Sequence, residues 1–467
     1  MTRNLTAGHP AKVIFLFTIP LLIGNLFQQL YSMADTLIVG RTISVNALAA
    51  VGCTGSIVFL IIGFAQGVTS GFSIITAQRF GAGDEPAVRR SFAVSIVLSA
   101  AVTSILMIIS IISARSMLEL MRTPPEIMED AYSYIIVIYF GIFACVLFNL
   151  LFNVIRSLGD SRTPLVFLVA ACILNIVLDF VFILNFHMGV AGAAWATILA
   201  QLVSGGLCIL FIIKKFPVLM LSKADWRITK DDIWSHIRVG LPMGFQSSII
   251  AIGAILLQAA LNNLGATSVA AYTAASKIDQ FATMPMMSFG MSMATFAAQN
   301  YGAKDFGRIR QGVRQCCMMS VAFSVVIGIV NILFGRYLTG VFVGAEPEVE
   351  ALAQIFLNIN GAMYFVLALL FVYRYTLQGL GQSMIPTIAG VVELCMRTFA
   401  AVVLAQYIGF AGACLANPFA WIGACVPLGI AYYRLIKKIS AQEIPADAAD
   451  SIGKALSEET AANAHTT

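Results

Sequence analysis

The sequence predicts an all-α polytopic membrane protein, with twelve transmembrane helices arranged as two pseudo-symmetric six-helix lobes around a central cavity. Hydrophobic residues make up 59% of the 467 residues and charged residues only 11%, too few to cover a soluble surface of this size. Apolar runs of bilayer length recur along the whole chain. Many residues also recur at an offset of about 221 positions, which indicates an internal repeat.

The apolar runs predict the transmembrane helices in order. Each run is continuous rather than alternating, which favours helices over a β-barrel. Several runs exceed the ~20 residues that one crossing needs, so we expect tilted or protruding helices. The twelve runs are centred near Gly24, Ile61, Thr103, Gly141, Ile173, Gln201, Ala251, Met284, Ala322, Val366, Val391 and Gly423.

The positive charges predict how these helices are oriented. Most of the 28 lysine and arginine residues lie at the N-terminus, in the even-numbered connections or near the C-terminus. In this interpretation Arg156 is one of the connection charges. By the positive-inside rule we expect a multi-pass protein of the cell membrane with both termini in the cytoplasm. Because the basic residues lie in short separate clusters and form no single polar face, we expect no nucleic-acid binding.

The internal repeat divides the chain. The segment Ala77-Gln78-Arg79-Phe80-Gly81 aligns with Ala298-Gln299-Asn300-Tyr301-Gly302, and Pro20 aligns with Pro242. Each half holds six spans, so both halves insert the same way up, and a substrate cleft is expected between them. We predict an N-lobe (residues 1–214), a cytoplasmic linker (215–232), a C-lobe (233–438) and a disordered cytoplasmic tail (439–467).

Two carboxylates of the N-lobe lie at membrane depth, where a charge costs about 2.5–3.5 kcal/mol. At about 1.5 Å per residue from the outer helix ends, Asp35, Asp179 and Thr197 reach a similar depth of roughly 10 Å. Asn175 shares a helix face with Asp179, because the two are four residues apart. These oxygen-bearing groups suit a proton or Na⁺. The alternative is a polar contact that only holds helices together.

Five further charges at membrane depth belong to the C-lobe and have no like-charged counterpart in the N-lobe. They sum to one net positive charge, which fits a nearly neutral buried ion network. A role in gating or coupling is the alternative. The five residues are Lys277, Asp279, Arg374, Glu393 and Arg397.

Motifs of other membrane functions are missing or misplaced in the sequence. No G-x-x-x-x-G-K-[ST] phosphate-binding loop occurs, so an ATP-driven pump is excluded. Gly81-Ala82-Gly83-Asp84 matches a string of intramembrane aspartyl proteases, but it lies in a charged connection. The 4 histidines form no H-E-x-x-H zinc motif. We therefore predict a protein that is not an enzyme and needs no cofactor other than H⁺ or Na⁺ as coupling ion.

The sequence resembles the multidrug and toxic compound extrusion (MATE) family over about residues 10–438. The resemblance rests on the first-helix segment from Ile19-Pro20 to Asp35, the paired Gln78 and Gln299 segments, and Leu158-Gly159-Asp160 with its repeat Gln378-Gly379-Leu380-Gly381. It implies two lobes around a V-shaped cavity. It also implies export of amphipathic, often cationic, compounds in exchange for H⁺ or Na⁺.

The resemblance further implies where the coupling ion binds. Members of the DinF-like branch hold a cation with a first-helix Asp, a fifth-helix Asn-x-x-x-Asp and a sixth-helix Thr, which match Asp35, Asn175, Asp179 and Thr197. Members of the NorM-like branch carry a Glu in the seventh helix, where this chain has Gln246. The chain therefore resembles the DinF-like branch, with coupling in the N-lobe.

The expected mechanism is antiport by alternating access, in which a cation at Asp35 and Asp179 bends the first helix and displaces substrate. The candidate cavity residues are amides and adaptable apolar side chains, namely Asn25, Gln28, Gln29, Gln246, Met284, Met287 and Phe289. Ordinary helix packing is the alternative for the Met and Phe residues.

We expect small amphipathic or cationic molecules and the lipid bilayer as partners, and a monomeric protein. A flippase for lipid-linked saccharides is the alternative function on the same scaffold. A flippase would need a basic cavity for pyrophosphate, whereas the expected cavity in the first half carries Asp35 and Asp179.

Overall fold

Helices make up most of the computed structural model, which describes residues 4–343 and 346–442. Within these residues there are fourteen α-helices and no β-strand. The first half of the chain forms α1 (Pro10–Thr42), α2 (Val45–Gly81), α3 (Glu85–Leu120), α4 (Pro125–Phe140), α5 (Ile142–Ser157), α6 (Arg162–Phe180) and α7 (Gly189–Lys215). The second half forms α8 (Lys230–Asn262), α9 (Ala266–Gly302), α10 (Phe306–Val343), α11 (Pro347–Gly379), α12 (Met384–Phe399), α13 (Ala405–Cys414) and α14 (Ala416–Gln442). Turns of π-helix, Val181–Asn185 and Ala400–Leu404, continue α6 and α12.

The predicted fold class, an all-α polytopic membrane protein, is confirmed. By length and apolarity 10 helices can cross a membrane, and α4 with α5, bent by 47°, can form an eleventh span. The 37-residue helix α9 falls outside this set. More than half of its residues are buried by other helices, so it exposes little surface to lipid. Each predicted run centre lies within a helix, except Gly141, which lies at the bend.

Two breaks between helical segments occur at glycines, one within the fourth predicted span and one between the eleventh and twelfth predicted spans. Between α4 and α5, Gly141 lies so close to α7 that a Cβ would overlap the side chain of Ile198. Within α13, Gly409 has a φ of +60°, a left-handed conformation that glycine adopts without strain. Both interruptions therefore depend on the missing side chain.

The first helix of each half begins on the opposite lobe. Leu5, before α1, and Ile14, Phe17 and Leu21, in the first half of α1, belong to a hydrophobic cluster whose other buried members are residues of the C-lobe. Conversely, Met243 in the first half of α8 packs against Ile75 of α2. The repeat-related Pro20 and Pro242 lie inside α1 and α8 next to these contacts. The first half of α1 thus packs on the C-lobe, and the first half of α8 packs on the N-lobe.

A reciprocal contact joins the lobes at the end of the molecule that carries the linker, which we call the linker face. The side-chain amide of Gln78 donates a hydrogen bond of 2.8 Å to the backbone carbonyl of Gly379, the last residue of α11. The repeat-related Gln299 donates one of 2.7 Å to the carbonyl of Ser157, the last residue of α5. Each glutamine therefore satisfies a free carbonyl at the C-terminus of a helix in the other lobe.

Two glycines of the same repeat motif allow this contact. A Cβ at Gly81 would overlap the backbone carbonyl of Gln299, and a Cβ at Gly302 would overlap that of Gln78. The ends of α2 and α9 therefore touch backbone to backbone, the close approach that small residues permit between membrane helices. This contact closes the linker face.

The linker and the chain ends differ in extent from the prediction. Helix α7 ends at Lys215 and α8 begins at Lys230, so α8 includes the last part of the predicted linker, residues 215–232. A capping box between Thr229 and Asp232 stabilises this start. Helix α14 continues to Gln442, past the predicted end of the C-lobe at 438. Residues 443–467 of the predicted tail lie outside the described residues.

Replacing Gly302 by alanine should destabilise the closed linker face. The added Cβ would overlap the Gln78 carbonyl, and overpacking of this kind costs about 1–3 kcal/mol. Gly206→Ala is the matched control, because nothing lies within 4 Å of the Cβ that it adds to α7. Thermal unfolding of the purified variants in detergent should show a lower Tm for Gly302→Ala alone. Equal Tm values for the two variants would contradict the backbone contact.

Candidate functional site

A cleft of about 450 Å³ lies between the two lobes. Residues of α1, α2, α5, α6, α8, α9 and α11 form its wall. Amides are its most frequent polar groups, contributed by Asn25, Gln28, Gln66, Asn149, Asn153, Gln246 and Gln378. The volume is in the range of about 300–1,000 Å³ that is typical of pockets for drug-sized molecules.

The charge of the cleft wall is positive. Among the described residues that line it, Arg156 and Arg374 are the charged ones, and no carboxylate is present. The expectation that the cavity carries Asp35 and Asp179 is therefore wrong. Asp35 follows the cleft residue Asn25 by almost three turns of α1, and its carboxyl group contacts Asp179 of α6 instead.

Some of the predicted cavity residues line the cleft and others do not. The nitrogen of Gln29 donates a hydrogen bond of 3.1 Å to Gln280 and lies outside the cleft. Met284 and Phe289 are buried within α9, and Phe289 belongs to the core of the C-lobe. Phe289 is two positions after Met287 on α9, so these two side chains point in different directions and cannot both face one cleft. The predicted residues in the wall are Asn25, Gln28, Gln246 and Met287.

Arg156 is a cleft residue that the sequence pattern assigned to a connection, and this assignment is wrong. It lies in the last turn of α5 and is only 5% exposed. Asn149 and Asn153 precede it on the same helix, and all three line the cleft. Their spacing of four and then three residues places them on one helix face. This polar stripe in an apolar span was the signal that could have identified Arg156.

The predicted cation-site residues come together in the N-lobe, on α1, α6 and α7. The carboxyl groups of Asp35 and Asp179 lie within hydrogen-bonding distance of each other. With the Asn175 amide oriented to satisfy both of its groups, its nitrogen donates to Asp179 at 3.0 Å and its oxygen accepts from the Thr197 backbone N–H at 3.1 Å. Tyr31, which was not predicted, shares a hydrogen bond of 3.1 Å with the Thr197 hydroxyl.

This cluster leaves part of its negative charge without a partner. Asp179 is fully buried and Asn175 is 1% exposed. One oxygen of each carboxyl group, Asp35 Oδ1 and Asp179 Oδ1, is buried and has no hydrogen-bond partner among the described residues. Buried carboxylate oxygens are costly unless a proton or cation satisfies them. Carboxylate, amide and hydroxyl oxygens also match the ligand preference of hard cations. The arrangement is chemically suited to a proton or Na⁺.

The predicted C-lobe charge network is divided into separate groups. Arg374 donates a hydrogen bond of 2.5 Å to one oxygen of Glu393, and Arg397 donates one of 3.1 Å to the other. All three side chains are buried, and together they carry one net positive charge. Because Arg374 also lines the cleft, this triad extends from the C-lobe interior to the cleft wall.

Asp279 and Lys277 lie apart from the triad. The hydroxyl of Tyr364 donates a hydrogen bond of 2.7 Å to Asp279, and Asn331 donates one of 3.0 Å to that hydroxyl. Lys277 is half-buried and forms no ion pair within the described part of the chain. The two residues are separated by two positions of α9 and point in different directions. The five charges therefore do not form one network.

Comparison with known proteins identifies relatives over most of the chain. The sequence matches the MatE family over residues 20–181 and 242–403, one match in each repeat. It is 26% identical over 383 residues to a probable multidrug resistance protein, YoeA, of Bacillus subtilis, covering 80% of this chain and 82% of the relative. It is 26% identical over 391 residues to the probable multidrug resistance protein NorM of Thermotoga maritima, covering 82% and 83%.

A solved structure shares the fold. This structure is of a MOP superfamily transporter from Pyrococcus furiosus, with a TM-score of 0.85 and 24% sequence identity. The similarity covers 94% of this chain and 98% of that chain. The helical architecture of this chain is therefore that of the solved structure.

The Arg374–Glu393–Arg397 triad should be sensitive to loss of its single carboxylate. Glu393→Gln leaves two buried guanidinium groups without a counter-charge, which costs about 3–5 kcal/mol. Glu129→Gln is the matched control, because Glu129 pairs with Arg115 at 3.3 Å on the surface, where an ion pair contributes about 0–1 kcal/mol. Thermal unfolding in detergent should therefore show a large loss of stability for Glu393→Gln only. Similar losses in both variants would show that the triad is not a buried ion cluster.

Proposed function

Because the chain belongs to the MatE family of transporters, we propose that it is an antiporter that exports amphipathic drugs and other toxic organic compounds in exchange for H⁺ or Na⁺. The relatives from Bacillus subtilis and Thermotoga maritima, both described as probable multidrug resistance proteins, support drug export. MATE family transporters are not enzymes, so the prediction of a protein without enzymatic activity is confirmed. The observation that carries ion coupling is the pair of adjacent carboxyl groups of Asp35 and Asp179, each with one buried oxygen that has no hydrogen-bond partner among the described residues.

The cluster of Asp35, Asp179, Asn175 and Thr197 supports coupling in the N-lobe, as in the DinF-like branch. A bound proton or Na⁺ would satisfy the free oxygens of Asp35 and Asp179 and remove the repulsion between the two carboxylates. The amide nitrogen of Asn175 donates a hydrogen bond to Asp179, and the hydroxyl of Thr197 supplies a neutral oxygen at the same place. Two carboxylates with neutral ligands suit one monovalent cation or one proton.

Helix α1 is the physical link between the cation site and the cleft. Asn25 and Gln28 line the cleft, and Asp35 belongs to the cation site on the same helix. Pro20 lies inside α1 and lacks a backbone N–H, so the helix can bend there. When Asp35 moves toward a cation shared with Asp179, the bend displaces Asn25 and Gln28. The cleft wall then changes shape, and the bound substrate is released.

The closed linker face sets the direction of this step. Within the proposal, the linker face is cytoplasmic, as the distribution of lysine and arginine predicts, and both termini are cytoplasmic. A cleft closed at that face gives access to the outside, where substrate leaves and the cation enters. The lobes then rock, which requires that the bonds from Gln78 to Gly379 and from Gln299 to Ser157 break. The protein works in this scheme as a monomer in the cell membrane.

A flippase for lipid-linked saccharides is the second candidate. The basic residues of the cleft, Arg156 and Arg374, favour it, because pyrophosphate needs positive charge. Drug export has more support, since the cleft of about 450 Å³ suits a drug-sized molecule and the relatives carry drug-resistance names. In proteoliposomes an exporter moves soluble dyes without added lipid substrate, whereas a flippase moves only a labelled polyprenyl diphosphate saccharide.

Removal of either N-lobe carboxylate should abolish coupled transport. Proteoliposomes loaded with ethidium or fluorescein are given a pH gradient or a Na⁺ gradient, and dye movement is followed by fluorescence. Asp35→Asn and Asp179→Asn should reduce gradient-driven transport at least about tenfold, because neither amide can carry the proton or balance the charge of Na⁺.

Asp130→Asn is the matched control for these variants, because Asp130 is an exposed carboxylate of α4. It should transport like the wild type. Dependence on the pH gradient identifies H⁺ as the coupling ion, and dependence on the Na⁺ gradient identifies Na⁺. Undiminished gradient-driven transport by both N-lobe variants would refute the coupling site.

A further inference from the structure

Arg156 is a buried charge that no interaction within the described residues explains. Its side chain is 5% exposed and lines the cleft. Its Nη1 is buried and has no hydrogen-bond partner in the described part of the chain. It forms no ion pair there, in contrast to Arg374, which pairs with Glu393. An unpaired buried guanidinium is costly, so a counter-charge supplied from the cleft would stabilise it.

A structural role at the end of α5 does not account for Arg156. A basic residue in the last turn of a helix can interact favourably with the helix dipole and bind the free carbonyls. The free carbonyl of Ser157, however, accepts its hydrogen bond from Gln299. The Nη1 of Arg156 has no hydrogen-bond partner among the described residues, so the end of α5 does not satisfy all of the donors of this side chain.

The second arginine adds to the positive charge of the same cleft. Glu393 is shared between Arg374 and Arg397, so this triad keeps one net positive charge. The Nε of Arg374 is buried without a hydrogen-bond partner among the described residues. Arg156 lies in the last turn of α5 and Arg374 lies five residues before the end of α11, and both helices end at the linker face. The two cations therefore belong to one end of the cleft, where no carboxylate lines the wall.

The rest of the wall is adapted to an apolar body. Phe148, Phe152 and Phe371 line the cleft near the arginines on α5 and α11. Aromatic side chains stack on flat ring systems, and arginine forms paired hydrogen bonds to carboxylate, sulfonate or phosphate groups. The wall thus combines an apolar aromatic surface with two cationic donors.

We propose that this end of the cleft is an anion-binding subsite, in which Arg156 and Arg374 hold the acidic group of an amphipathic aromatic substrate. The inference rests on the proposed export function and names its substrate class. It reverses the expectation of cationic substrates. The substrate anion and the coupling cation then bind at different places, because the carboxylates of the N-lobe that bind the cation do not line the cleft.

Binding of two dyes of opposite charge tests the subsite. Fluorescein, an anion at pH 8, and rhodamine 6G, a cation, share the xanthene ring. Their binding to the purified full-length protein in lipid nanodiscs is measured by fluorescence anisotropy. We expect the wild type to bind fluorescein more tightly. Arg156→Gln should weaken fluorescein binding by about tenfold or more, because it removes a charge-assisted hydrogen bond, and it should not weaken rhodamine 6G binding.

Two further variants separate charge from structure. Arg156→Lys keeps the charge and should retain part of the fluorescein affinity. Gln66→Glu places a carboxylate on the half-buried wall without removing a buried arginine, and it should weaken fluorescein binding and strengthen rhodamine 6G binding. Arg336→Gln, at an exposed arginine of α10, is the control and should bind both dyes like the wild type.

Competition with bound fluorescein shows whether the subsite prefers a soluble aromatic anion or a lipid-linked diphosphate. Naphthalene-2-sulfonate represents soluble aromatic anions, and farnesyl diphosphate represents lipid-linked diphosphates. Displacement of fluorescein by either competitor supports an anion subsite and identifies which source it prefers. Equal or tighter binding of rhodamine 6G by the wild type, or an unchanged fluorescein affinity in Arg156→Gln and Gln66→Glu, would overturn the proposal.

Failure of this inference is distinct from failure of the export proposal. Gradient-driven movement of rhodamine 6G or ethidium without fluorescein binding would refute the anion subsite and leave export intact. Fluorescein binding that depends on Arg156, without gradient-driven movement of any dye, would refute export and leave the subsite intact.

Discussion

The reciprocal contact of Gln78 and Gln299 with the ends of α11 and α5 is the interaction on which the rest of the structure depends. Helix C-termini leave free carbonyls that must find donors when they are buried. Here each lobe supplies the donor for the other, and Gly81 and Gly302 bring the backbones into direct contact. Closure at this face leaves the cleft to open at the other. The internal repeat thus has a physical consequence. The same glutamine–glycine motif occurs once in each lobe, and the two copies form a symmetric contact that closes the linker face.

The two halves repeat this scaffold but differ in their charges. The N-lobe has the paired carboxyl groups of half-buried Asp35 and fully buried Asp179, whereas the C-lobe has an arginine-rich triad with one carboxylate. Neither set is duplicated in the other half. Helix α1 joins these regions, because it begins on the C-lobe, borders the cleft and ends at the N-lobe carboxylates. Its Pro20 lies where the helix passes from one lobe to the other, which makes α1 the element best placed to transmit a change.

The sequence predicted the fold and the proximity of four polar N-lobe residues, but its prediction of the cleft wall was partly wrong. Apolar runs and the repeat are properties of the whole chain, and helix ends set a depth scale, so Asp35, Asn175, Asp179 and Thr197 could be placed at one level. Depth does not determine which way a side chain faces. Met284 and Phe289 were therefore assigned to a cavity although both are buried and neither lines the cleft. Arg156 was assigned to a connection, because a charge at the end of an apolar run resembles a connection charge until the helix end is known to be buried.

The positive cleft also determines how transport responds to voltage. A membrane potential does work of about 2.3 kcal/mol on each charge moved through 100 mV. Exchange of one cation for another moves no net charge, so voltage neither drives nor opposes it. An anion that leaves from Arg156 and Arg374 while a cation enters to Asp35 and Asp179 moves two charges in the same electrical sense. Export of an anion from a cleft whose described wall carries no carboxylate would thus make the exchanger electrogenic, with an inside-negative potential driving the cation inward and the anion outward.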